Sequence, residues 1–262
     1  MLAIYKKEMR SYFINAVGYV YVGVFLAMAA LLCCYTTLQS NSYSTSAYFQ
    51  YIIFALIVLI PLLTMRMFAE ERKMRTEQLL LTSPVTIIGM VMGKFCAALT
   101  LFVGSLLLSC INFIPLYSIA SSEIAAKKAS GDWLTGDHIG PNTAQIFGSL
   151  IGVMLIGAAF IAIGLFVSSL TENQLSAAVI TIGVLISMIV LNMLAQVGND
   201  ADGTRLITSY AVRYVLDWVS VLSRFSNFGY GILDWSALLY YVSLTFIFLY
   251  LTVRVYERRR WA

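Results

Sequence analysis

Eight charged residues crowd one stretch of a chain that otherwise avoids charge: Arg66, Glu70, Glu71, Arg72, Lys73, Arg75, Glu77 and Lys94. Acids and bases are interspersed, so this is not the run of Lys and Arg alone that binds anionic lipid. Leu79-Leu80-Leu81 adds an apolar patch, and Thr82-Ser83-Pro84 follows. Ser83 can cap a new helix with Pro84 at its first position, where the missing N–H costs nothing. The segment therefore reads as helix, sharp turn, helix, and its chemistry is that of docking to a protein partner. Gly89-Met90-Val91-Met92-Gly93-Lys94-Phe95 approaches a phosphate loop. It has one residue too few between the glycines, and Phe stands where the Mg²⁺-binding hydroxyl belongs. Neither H-E-x-x-H nor G-x-S-x-G occurs. The single histidine, His138, lies in a stretch rich in Gly, Asp and Pro, which suits a solvated loop. Cys33, Cys34, Cys96 and Cys110 fall in apolar runs and read as free thiols. The chain thus offers no catalytic, nucleotide-binding, cofactor or metal constellation of its own.

The elements that hold these residues follow from composition. Of 262 residues, 60% are hydrophobic and 11% charged, against about 45–50% and 25% in soluble domains. A soluble globule and a disordered chain are both excluded. Ser11 to Met65 carries no charge over 55 residues, interrupted by the polar stretch Gln39–Ser46, and so holds two spans. Phe95–Ser122, 138–171, Asn173–Asn199 and Trp235–Val253 can each hold one more. The expected spans are 16–38, 48–66, 95–117, 144–168, 174–196 and 236–254. Solid apolar runs such as Leu56–Ile60 lack the alternation of barrel strands, so the fold class is all-α: a six-helix membrane protein. Twelve Lys and Arg residues fall on the face with both termini and the 66–94 loop, and five on the other. The richer face is expected to be cytoplasmic, in the cell (inner) membrane. Five spans would split the basic termini and fit worse.

No charge sits near the middle of a span, which argues against a self-sufficient proton- or ion-coupled carrier. Asn112 and Asn192 are the main amides there, suited to bonds between helices or to lining a translocation path. Gly148 and Gly152 form a close-approach pair, either within the chain or at a dimer seam. Residues 118–143 read as a polar outer loop. In 205–224, Ser209, Arg213, Asp217, Ser220 and Arg224 share one face of an otherwise apolar helix, which fits an interfacial anchor or a re-entrant outer helix.

Several of these stretches resemble the type-2 ABC transporter permeases, and within them the gliding-motility-type subgroup. The residues are Met65-Arg66-Met67-Phe68-Ala69-Glu70-Glu71-Arg72, Thr76, Leu79–Pro84 and Gly93-Lys94-Phe95, with Tyr5–Phe13 and Gly231–Asp234, Phe248–Val253 and Arg258-Arg259-Arg260 at the two ends. The family pattern has Gly where Arg75 stands and an acid where Gln78 stands. The resemblance implies an amphipathic elbow helix over 1–15 carrying Lys6, Lys7 and Arg10. It implies a coupling helix at about 68–82, with Glu70, Glu71, Arg72, Arg75, Glu77, Leu80, Thr82, Ser83 and Pro84 as ATPase contacts and Glu172 as a second one. It also implies a permease pairing with a second copy or a different permease, and with two cytoplasmic ABC ATPase subunits that hold ATP and Mg. Export is the expected direction. An accessory protein outside the membrane fits the outer loop; nucleic acid has no place. The alternatives are a membrane anchor or mechanical subunit for a cytoplasmic ATPase, and a stand-alone carrier.

Overall fold

The computed structural model describes residues 1–39, 43–76, 86–130, 141–196 and 221–261, all-helical with no strand among them. Helix α1 (Leu2–Ile14) turns through Asn15 and Ala16 into α2 (Val17–Cys33), which ends in a π-helical turn, Cys34–Leu38. Then come α3 (Ser46–Lys73), α4 (Ile87–Ser109), a 3₁₀ turn (Cys110–Phe113) and α5 (Ile114–Ser130). The chain continues as α6 (Thr143–Leu170), α7 (Gln174–Gln196), α8 (Val221–Gly229) and α9 (Trp235–Trp261). Six segments among the described residues are long and apolar enough to cross a membrane.

Helix α6 is the central post. It packs against α3, α4, α7, α8 and α9, and its glycines make that possible. A Cβ on Gly157 would land on the Phe102 ring of α4, and one on Gly164 on the Thr64 side chain of α3. Gly148 and Gly152 are closed by α8 and its following turn, so this glycine pair packs within the chain. A Cβ on Gly148 would lie 2.7 Å from the Gly231 Cα and 2.9 Å from the Phe228 carbonyl oxygen. Backbone cannot swing aside, so Gly148→Ala is expected to destabilise by about 1–3 kcal/mol. Gly104→Ala, where a Cβ meets nothing within 4 Å, should be neutral or stabilising by up to about 1 kcal/mol. Thermal unfolding of the purified variants in detergent checks both.

Two expectations change. The helix expected over 68–82 is interrupted: α3 stops at Lys73, and 77–82 lie outside the described residues. Thr76 N–H donates to Glu71 O at 3.0 Å and Arg75 N–H to Arg72 O at 3.0 Å, a Schellman cap. Arg75 sits at its left-handed position, with φ of 57°. Glycine takes that conformation without steric cost, which gives a physical reason for Gly at this place in the pattern the sequence resembles. Arg75→Gly is expected to stabilise the fold by about 1 kcal/mol in the same unfolding assay. Ser83 and Pro84 lie outside the described residues. The helix that enters the membrane, Ile87–Ser109, has Thr86 as its cap, whose Oγ1 accepts from Gly89 N–H at 3.2 Å.

The expected outer loop from 118 is helical as far as Ser130. Ala125-Ala126-Lys127-Lys128-Ala129 favours helix, and no breaker comes before Gly131. The candidate span Ile87–Ile124 has 38 residues, roughly 57 Å of helix against a hydrocarbon core of about 30 Å. Its far end must stand clear of the membrane. Tyrosines near span ends divide in their exposure. Tyr19 is exposed, whereas Tyr241 is fully buried, because its hydroxyl donates to Val221 O at 2.6 Å.

Candidate functional site

The charged residues gather at one end of the bundle, where α1, the ends of α3, α6 and α9 and the starts of α4 and α7 meet. Lys94 is its centre. The sequence groups Lys94 with the loop, but it lies on the second turn of α4 and only 1% of it is exposed. Its Nζ is 3.0 Å from Glu8 Oε1 of α1 and 2.9 Å from Glu71 Oε1 of α3. It donates to the Met67 carbonyl at 2.6 Å and stands 4.9 Å above the Phe68 ring. Lys7 closes the cluster, 2.8 Å from Glu71 and 3.6 Å from Glu8. Two cations face two carboxylates, so the formal charges cancel. Burial alone would lower the Lys7 ammonium; the hydrogen bond and charge of Glu71, with Glu8 behind them, outweigh it and hold Lys7 above its ordinary value.

The glycines that imitate a phosphate loop build this site. Gly89 and Gly93 lie inside α4, and α1 lies across them. A Cβ on Gly93 would be 3.2 Å from Ile4 Cβ and 3.2 Å from the Met1 carbonyl oxygen. Small residues at that spacing bring the α1 backbone close enough for Glu8 to reach Lys94.

Further bonds extend the joint. The buried Ser168 hydroxyl of α6 accepts from Phe68 N–H at 3.3 Å and Ala69 N–H at 3.2 Å, and donates to Met65 O at 3.3 Å. Arg72 donates to Leu170 O at 3.0 Å and pairs with Glu172 at 3.3 Å. Arg259 of α9 donates to Ser169 O at 2.7 Å.

Adjacent Glu70 and Glu71 therefore do different things. Glu71 spends its carboxylate inside the cluster. Glu70 makes a two-point pair with Arg66 one turn earlier, each contact 2.9 Å. Such a half-exposed i,i+4 pair contributes about 0.3–0.5 kcal/mol. Lys73, Met74 and Arg75 form an exposed tip at the end of α3, and Lys6 and Arg10 are exposed on α1. Glu77, Leu80, Thr82, Ser83 and Pro84 lie outside the described residues.

Asn112 is far from this end. It lies in the 3₁₀ turn after α4, half-buried, and its carbonyl accepts from Cys33 Sγ at 3.6 Å. Asn192 is on α7, its side chain outside the described residues. Arg213 and Asp217 also fall outside them. Arg224 of α8 packs 4.4 Å over the Tyr240 ring.

A family model described as ABC-2 family transporter protein matches residues 2–261. The chain belongs to the ABC-2 transporter family. A comparison with curated proteins finds no match. Family membership makes this chain a transmembrane permease subunit of an ABC transporter, a multi-pass transport component whose partner, in general, is an ABC ATPase. Within this ABC-2 permease the sequence reading missed Glu8 and Lys94. A usable signal existed for Lys94: it is a lone cation directly after Gly93 and at the mouth of the charge-free run Phe95–Ser122.

Proposed function

We propose that this chain is the permease of an exporter of the gliding-motility type, driven by two copies of a separate cytoplasmic ATPase that bind ATP and Mg. The observation that carries the reading is the Lys94 cluster, which ties α1, α3 and α4 into one body beside the exposed tip Lys73-Met74-Arg75. ATP-driven closure of the ATPase pair pushes on that tip. Helix α3 runs from it into the membrane with Pro61 in its interior, and its packing along α6 braces it so that the push is passed on. ATP must favour the closed pair by more than the bundle resists, since a ligand shifts an equilibrium only by its differential affinity. Glu70, Arg72 and Glu172 flank the tip as further contacts, and the segment with Glu77, Leu80, Thr82, Ser83 and Pro84 completes the docking surface.

The excess of Lys and Arg at this end, twelve against five, supports placing it and both chain ends in the cytoplasm, in the inner membrane. A second permease, identical or different, completes the bundle; Asn112 and Asn192 line its path, and an extracytoplasmic protein docks at α5. The test is affinity purification from native membranes followed by an ATPase assay. An ABC ATPase that copurifies and hydrolyses ATP supports the reading. A chain that purifies without one and still moves solute in liposomes overturns it.

A further inference from the structure

We propose that the groove between α2 and α3 is a binding site for one phospholipid with a primary-amine head group. The groove, about 260 Å³, is lined by apolar side chains from both helices, among them Val20, Val24, Leu59 and Leu62, with Asn15 at its rim. Val17 also lines a polar cleft of about 40 Å³, together with Glu8, Ser11, Tyr12, Arg66, Met67 and Glu70. Val17 is the first residue of the first candidate span, so the cleft lies at head-group level and the groove at acyl-chain level.

An amphiphile matches both parts at once. The groove is apolar, which fits an unbranched hydrocarbon chain; a second copy's helix, about 10 Å wide, brings no charged head group for the cleft. The cleft has room for about three water-sized groups. A primary ammonium is of that size, and a trimethylammonium is not. With Glu8 held by Lys94 and Lys7, one carboxylate and one guanidinium, Glu70 and Arg66, border the cleft, which matches a zwitterion. Only the ammonium enters the cleft; the phosphate stays outside it, at Arg66, which gives Nε and Nη2 to Glu70 and keeps donor hydrogens to spare among the five of a guanidinium. The ammonium donates to Glu70, since Glu8 is already held by Lys94 and Lys7. Asn15 and Ala16, which line the groove, also form the bend from α1 to α2, with Ala16 held at a left-handed φ of 55°. The lipid therefore wedges the joint at which α1 leaves the first span.

Delipidated full-length chain, titrated with phosphatidylethanolamine, phosphatidylcholine or phosphatidylglycerol of matched acyl chains, gives the test by native mass spectrometry. One ethanolamine lipid per chain is expected, preferred about tenfold over choline, the effect of losing a charge-assisted hydrogen bond. Glu70→Gln should erase that preference. Leu62→Trp and, from the other wall, Val20→Trp should remove the lipid. Val58→Trp, exposed on α3 but not lining the groove, should keep it. Equal binding of all three lipids, or full retention in both groove-filling variants, overturns the site. So does a change of protomer number in those variants with no lipid bound to the wild type, which would make a second copy the occupant. None of these readouts depends on transport.

Discussion

Replacing Lys94 with Met is expected to destabilise the protein by about 3–5 kcal/mol, the cost of removing one member of a buried ion pair. Met fills similar volume, so the loss is electrostatic rather than a cavity. Glu8 and Glu71 would be left facing each other with Lys7 as their only cation in the cluster, and the Lys7 side chain is 56% exposed. The Met67 carbonyl would lose its lysine donor as well. The pair itself is a weak source of net stability, because taking two charges out of water cancels much of their attraction. Neutralising the partners too, in Lys94→Met with Glu8→Gln and Glu71→Gln, should therefore recover most of the loss. Glu70→Gln, one residue from Glu71, should cost under about 0.5 kcal/mol. Denaturant or thermal unfolding in detergent measures all three variants. A Lys94→Met protein as stable as the wild type would show that the cluster does not hold α1 to the bundle.

Reversing charge at the tip, Lys73→Glu with Arg75→Glu, is expected to cut ATP hydrolysis by the copurified complex at least about tenfold, since like charges across an interface cost several kcal/mol. Both side chains are exposed, and neither enters the Lys94 cluster, so unfolding temperature should hold steady. Glu71→Lys gives the contrast. It sets a third cation beside Lys7 and Lys94 and should lower both stability and activity. A tip variant that binds and stimulates its ATPase at the wild-type rate would remove the tip from the docking surface.

The membrane-spanning plan was legible because hydrocarbon permits so little: runs without charge must be helices, and their number follows from length. The joint was less legible for a specific reason. A lysine next to a span end normally faces water, and only the approach of α1 across Gly89 and Gly93 buries Lys94. That approach joins residues 86 positions apart, and no local pattern encodes it. The same glycine spacing looked like a fragment of a phosphate loop, because close backbone approach is what both settings demand. Gly148 and Gly152 were recognisable as a packing pair, but their partner, α8, was not. Arg75 shows the reverse case: Gly at this place in the pattern the sequence resembles marked a backbone requirement, and the arginine obeys it with φ of 57°.

The central claim is that α1 and the adjoining ends of α3 and α4 move as one body. A disulfide across α1 and α4 tests it most directly. A Cβ on Gly93 would lie 3.2 Å from Ile4 Cβ, close to disulfide range, so Ile4→Cys with Gly93→Cys, with the four native cysteines replaced by Ala, can be locked by oxidation. ATP hydrolysis by the purified complex should be unchanged on locking. Loss of activity on oxidation, with recovery on reduction, would mean that α1 swings against α4 during the cycle and would contradict the account.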